Sequence, residues 1–375
     1  MFVQTAKRSL AAMACCAALF YAVPAQAAGM SIRTLGAKQM HLASIGYRIA
    51  AANARTCARP DMMTGMILHD LTQYDPSVRP AVTRAFALDG GYGVLQLVPG
   101  SAAQRAGVRI DDEIVAVGGR WVTDSNAVQR PGKSSHRISQ FSALLSAALQ
   151  NGATDLLVRR DGHQLTLQLH GQAGCGGDVM LANSATLNAW SDGRHVVVSS
   201  AMAQMARSDD ELAFVIAHEM AHNSLGHAGS SAGDARGLFG LLGFGAARVK
   251  RMEIDADSYA VALMSAGGYA PEAGISFLQS ARRRLWWSVS LDHPGFGRRI
   301  QIVGNAIARL PSRNAQYQLV RREAGPALAP ATGAANISSE ARRPLGQALA
   351  SPWVYNESAV RAMSEPAQLA SVQTH

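Results

Sequence analysis

The pattern that most constrains this chain is His218-Glu219-Met220-Ala221-His222, inside the run ELAFVIAHEMAHNSLGH at 211–227. Residues four apart on a helix stand one above the other, so both imidazoles can reach a single cation. Glu219 lies about 100° around the same helix, where its carboxylate can meet a water held beside that cation. Leu212 to Ala217 is apolar nearly all round, which demands that the helix be buried. Ser208-Asp209-Asp210-Glu211 supplies an N-cap and acids for the positive end of the helix dipole. Two core histidines and a stray Glu would be the plain alternative, but further ligand types follow downstream.

Those ligand types lie in Arg251-Met252-Glu253-Ile254-Asp255-Ala256-Asp257, which opens another helix. Glu253 and Asp257 are four apart and share a face, while Asp255 points elsewhere. A catalytic zinc takes three protein ligands and keeps one position open. Glu253 supplies the third ligand to one zinc per chain. Asp257 then hydrogen-bonds the other nitrogen of a ligand histidine and fixes its tautomer.

The N-terminus reads as a secretory signal: basic Lys7 and Arg8, an apolar stretch from Leu10 to Val23, and Ala25-Gln26-Ala27 as a cleavage site. The stretch is short for a membrane span. Cleavage would remove two positive charges from the formal net charge of +9. What remains is dispersed, and no nucleic-acid motif accompanies it. Cys15 and Cys16 fall inside the signal, and Ala12-Met13-Ala14 makes a poor lipidation site before them. Cys57 and Cys175 alone survive, a natural disulfide pair in an oxidising compartment, with two separate buried thiols as the other reading. The expected location is the periplasm.

A helical pattern runs from Ser31 to about Thr56, and the stretch from Cys57 to Tyr74 reads as an irregular loop. From about Pro80 to His170 the chain resembles a PDZ domain of the bacterial protease type. The resemblance rests on Gly91-Tyr92-Gly93-Val94 and on the block Pro99-Gly100-Ser101-Ala102-Ala103-Gln104-Arg105-Ala106-Gly107-Val108. It implies that the amides of Gly91 to Val94 cradle a peptide C-terminal carboxylate. The peptide would then add as a strand beside Val94 to Leu97, against a helix around Phe141 to Leu149. An empty structural module is the competing reading.

After a glycine-rich linker, Val179-Met180-Leu181, Leu187 to Trp190 and His195 to Ser199 read as strands around a hairpin turn. Such a hairpin can offer an exposed edge to an extended substrate. Gly229 to Gly245 interleaves Leu238, Phe239, Leu241, Leu242 and Phe244 with glycine. It suggests a flap over a cleft, with peripheral membrane contact through 237–247 as the alternative. Ala324 to Gly346 reads as a flexible linker.

With these residues in place, the third unit resembles the HtpX / CAAX-prenyl-protease / Oma1-like zinc metallopeptidases in soluble periplasmic form. The matching positions are Asn188-Ala189-Trp190, His218 to His222, Glu253 with Asp257, and His293-Pro294 followed by Arg299-Ile300. The resemblance implies that His293 approaches the zinc, either steadying the transition state or plugging the open position. It also implies that Arg299 stands with Asp257 behind the ligands. The glycine-rich segment departs from the family, replacing helices that elsewhere separate the second His from the Glu. His227 follows His222 by five residues and Leu225 takes the place of a glycine, so the metzincin spacing fails and His227 reads as a helix-end residue.

The expected architecture is α+β: a mainly helical zincin domain with a small edge-strand hairpin, interrupted by a β-rich PDZ domain. The expected boundaries are a signal peptide at 1–27, the first helix and loop at 28–77, PDZ at 78–171, peptidase at 172–310 and a tail at 311–375. The expected activity is zinc-dependent endoproteolysis of exported or misfolded proteins with Glu219 as general base. A non-proteolytic chaperone or scaffold is the rival from another class.

Overall fold

The computed structural model describes residues 25–57, 60–175, 177–227, 244–284 and 295–310, with backbone alone at 25–29 and 244–247. The signal stretch with Cys15 and Cys16, most of the glycine-rich segment, His293 and the tail from 311 lie outside the described residues. Among the described residues no helix is long and apolar enough to cross a membrane.

Helix α1 (Ala25–Ala52) forms where the sequence calls for one. Ile32, Leu42, Ile45, Ile49 and Ala50 are buried along it, the spacing of one helix face. Gly46 is required for close approach, because any Cβ there would collide with Val179.

The stretch expected to be an irregular loop holds two strands. Strand β1 (Pro60–Met63) pairs antiparallel with β8 (Gln172–Cys175), and β2 (Met66–His69) pairs with β3 (Tyr92–Leu97). Four-residue strands carry too little alternation to be read locally, and their partners come from elsewhere in the chain. Helices α2 (Arg79–Phe86) and α3 (Ala102–Arg105) flank β3. The sheet continues through β4 (Glu113–Val117), β6 (Thr154–Arg160) and β7 (His163–Leu169) in the order β2-β3-β4-β6-β7, with β5 (Arg120–Trp121) on β4. Helix α4 (His136–Gln150) covers it. Their shared core holds Val94, Ile114, Leu145, Leu156 and a stacked Tyr92–Phe141 pair at 4.1 Å between ring centroids. Strand β2 therefore belongs to this sheet although it lies before residue 78.

The remaining strands, β9 (Asp178–Ala182), β10 (Ala189–Ser191) and β11 (His195–Ser199), form a sheet in the order β10-β11-β9. The β10–β11 pair is the expected hairpin, and β9 runs parallel to β11. Among the described residues five helices follow: α5 (Ser200–Met205), α6 (Asp209–Ser224), α7 (Phe244–Ala266), α8 (Glu272–Arg284) and α9 (Phe296–Ala308). The larger core joins α1, α6, α7 and α8 with β9 and β11 and runs on to Ile67, Val82, Phe86 and Leu95. Mixed helix and sheet, α+β, is thus the observed class.

Two buried polar groups carry that junction. Arg79 is fully buried and donates to the carbonyls of Tyr74, Ala127, Val128, Arg130 and Gly132, clasping the stretch that leads to α4. His69 is buried against Phe86, with Nδ1 2.7 Å from the Tyr74 hydroxyl. Burial first, and Arg33 second, pull its pKa down to about 3. The unfolded chain takes up this proton near pH 6.5 while the folded chain refuses it, so the residue's contribution is complete above about 6.5. It is lost progressively as pH falls towards about 3, reaching about 2 kcal/mol at pH 5. Denaturant melts at pH 7 and 5 should show that loss, and His69→Gln should remove it; an equal pH slope in both proteins would show that His69 is not its source.

Candidate metal centre

Helix α6 begins with the Ser208 side chain accepting from the Glu211 amide at 3.2 Å, and Asp209, Asp210 and Glu211 fill its first turn. Leu212 to Ala217 are all buried, as an all-round apolar run requires. One face then presents His218 and His222, their Nε2 atoms 3.2 Å apart.

Helix α7 packs on α6 and completes the site. Glu253 places Oε2 3.4 Å from His218 Nε2 and Oε1 3.3 Å from His222 Nε2. The three ligand atoms lie within 4.8 Å of one another. Two imidazoles and one carboxylate on buried helices form the donor set of a catalytic zinc with an open position. The residues fit that metal.

Asp257 and Arg299 stand behind the donors. Asp257 Oδ1 is 3.0 Å from His218 Nδ1, and Asp257 is fully buried. Arg299, on α9, donates to both Asp257 oxygens, Nε to Oδ2 at 2.8 Å and Nη2 to Oδ1 at 2.7 Å. Burial opposes the Asp257 charge, but Arg299 and His218 overcome it and hold the pKa below the ordinary carboxylate value. Burial likewise pulls His218 down, and the hydrogen bonds to Asp257 and Glu253 outweigh it and raise the pKa to about 10. The carboxylates thus demand positive charge at this point, which a cation can supply as well as a proton.

Glu219 is half-buried, and its charge helps to raise the Arg299 pKa, after the larger effects of burial and Asp257. Asp255 is exposed, as its place off the ligand face requires. His227 stays out of the donor set but touches it: its Nδ1 is 3.1 Å from His222 Nδ1. Spacing alone hid that contact, because it depends on where the helix ends.

Cys57 and Cys175 are neighbouring thiols in this structure. Burial, and next the hydrogen bond with Cys57, push the Cys175 thiol well up.

The residues expected to bind a peptide carboxylate are occupied otherwise. The amides of Asp89 and Gly91 both donate to Glu113 Oε1, at 2.6 and 2.7 Å, so the carboxylate at this turn is the chain's own. Strand β3 is paired by β2 on one side along Gly93 to Leu97, and Tyr92 to Val94 are bonded to β4 and the turn before it on the other, so both edges are taken at the start of the strand. Gly91, Tyr92, Gly93 and Val94 are therefore structural. Among the described residues β2 is one end of the sheet, and a cavity of about 40 Å³ beside β2 and α4 is lined by Met66, Leu68 and Leu145 and by the charged Asp61, Asp178 and Arg194.

Residues 172–248 match the model of Peptidase family M48. That match supports an M48 zinc metallopeptidase. The matched span holds His218, Glu219 and His222 and stops before Glu253, so the third ligand rests on geometry. No curated protein matches the chain. Among solved structures it is similar to the HtrA3 PDZ domain bound to a phage-derived ligand (FGRWV), at 24% identity and a TM-score of 0.23. That similarity covers 31% of this chain and 89% of that one.

Proposed function

We propose that this chain is an M48-type periplasmic zinc endopeptidase with a peptide-binding PDZ module, acting on exported, envelope or misfolded proteins. The observation that carries the reading is the convergence of His218, His222 and Glu253 on one buried point, with Glu219 on the same helix as the histidines. When bound, zinc would polarise a peptide carbonyl and lower the pKa of water to about 7. Glu219 takes the proton from the attacking water and later passes it to the leaving amine. Asp257 holds the proton on His218 Nδ1 and so keeps Nε2 turned towards the site, while Arg299 neutralises Asp257. The test is cleavage of unfolded casein by the purified chain, abolished by a chelator and restored by zinc. A metal-loaded protein inert towards every unfolded or envelope protein tried would favour the chaperone.

Strand β10 is the candidate seat for an extended substrate, since only one of its edges is paired among the described residues. Asn223, next in chain to His222, holds the hairpin turn. It accepts from the Gly193 amide at 2.7 Å and donates to the His195 carbonyl at 3.1 Å. Losing both bonds costs on the order of 1–3 kcal/mol of positioning. Asn223→Leu is therefore expected to raise KM about tenfold with kcat and zinc content near wild type. An unchanged KM would remove the hairpin from substrate binding.

In this reading the peptide groove of the PDZ-like unit lies at β2 and α4 rather than at Gly91, which the open edge of β2 supports. An extended apolar C-terminus would pair with the open edge of β2 and lay side chains against Met66 and Leu68. Met66→Arg should weaken binding of a labelled peptide with an apolar C-terminus by about tenfold, as a buried charge costs more than 1.4 kcal/mol. Equal anisotropy curves for variant and wild type would end the assignment.

A further inference from the structure

We propose that His227 is a positioning residue of the metal centre, fixing the tautomer and the aim of His222. The inference rests on the zinc reading of that centre and adds a residue to it. His222 turns Nε2 towards Glu253 and His218, which leaves Nδ1 on the far side of the ring. There His227 Nδ1 lies at 3.1 Å, with ring centroids 5.1 Å apart and planes at 66°. A hydrogen bond between two Nδ1 atoms needs the proton on one of them. His222 must keep the Nε2 lone pair for the cation, so its proton sits on Nδ1 and is donated to His227. His227 accepts at Nδ1 and carries its own proton on Nε2.

The chain is shaped to bring this ring back. On a continuing helix the fifth residue after His222 would stand about 140° away from it. Helix α6 instead stops at Ser224, and Gly226 takes a φ of +70°, a left-handed conformation that glycine adopts without strain. The His227 amide then donates to the His222 carbonyl at 2.9 Å. Backbone and ring therefore both dock on the same ligand.

The two ligand histidines thus have matching supports of different charge. His218 Nδ1 is backed by the Asp257 carboxylate, itself neutralised by Arg299, and His222 Nδ1 by a second imidazole. A further carboxylate in the second place would add negative charge to a site that already holds Glu253 and Asp257. An imidazole acceptor orients the ring without that charge.

Two variants test this. His227→Gln keeps an acceptor at the end of its side chain, and His227→Phe keeps a flat ring with none. The zinc dissociation constant is read by competition with a chromogenic chelator, and the melting temperature of the metal-free protein is read separately. His227→Phe should bind zinc about 10–100-fold more weakly, the usual cost of losing a partner behind a ligand. His227→Gln should recover most of that loss, and both metal-free proteins should melt with the wild type. Wild-type affinity in the Phe variant would overturn the proposal, as would equal loss in both variants or a fall in metal-free melting that tracks the affinity. A wild-type protein that binds no zinc would instead overturn the reading beneath it.

Discussion

Glu219→Gln is expected to purify with its zinc and to lose roughly 10²–10⁴-fold of its peptidase activity. The exchange is nearly isosteric and removes only the ability to take a proton. Among the described residues the donor set is His218, His222 and Glu253, and Glu219 is not in it, so the metal has no reason to leave. Its half-buried carboxylate sits one residue beyond the first ligand, on the helix that holds both histidines. Removing its charge also takes one of the carboxylates away from Arg299, but Asp257 still binds that guanidinium through both oxygens. The two readouts therefore separate: metal analysis reports an intact site, and casein turnover reports the missing base. Full cleavage by the variant would remove Glu219 from the mechanism. Loss of zinc together with activity would show that Glu219 holds the metal.

What could be read from the sequence followed from how local each signal was. His218, Glu219 and His222 share one helix, so a spacing of four residues placed both ligands on one face before any fold was known. Glu253 and Asp257 are likewise one turn apart on α7, and their roles differ because one reaches the Nε2 atoms while the other reaches His218 Nδ1. Arg299 could be placed only through a family resemblance, since nothing in its own neighbourhood points to a buried Asp. The hairpin at 189–199 was legible from its turn residues and its β-branched run. Strands β1 and β2 were not, because each is four residues long and pairs with a distant part of the chain. Missing β2 hid the partner that covers one edge of β3. A glycine turn at 90–93 looks open in sequence, and only the fold reveals that Glu113 fills it and that β3 lies inside the sheet. His227 stands just past the helix end, as its spacing suggests, but spacing did not show what its ring touches. Its distance from His222 excludes it as a ligand of the metzincin type, but the left-handed turn at Gly226 returns it to the ligand's other nitrogen.

Glu253→Gln is expected to purify with little zinc, whereas His227→Gln retains close to one equivalent. The argument turns on which groups face the cation. Glu253 presents one oxygen to each histidine Nε2, at 3.4 and 3.3 Å, and is buried, as is His218. An amide in its place keeps the shape but forfeits the negative charge that balances a divalent ion in a site of low water content. Among the described residues two neutral imidazoles would then remain as strong ligands, with Asp257 committed to His218 Nδ1 and Arg299. The His227 ring meets His222 at its outward nitrogen, so its replacement by Gln leaves all three donors and an acceptor behind them. Metal analysis of the two variants, purified side by side under the same conditions, decides between them. If His227→Gln lost its zinc while Glu253→Gln kept it, the third ligand would be the histidine. Both the donor set and the mechanism built on it would then have to be abandoned.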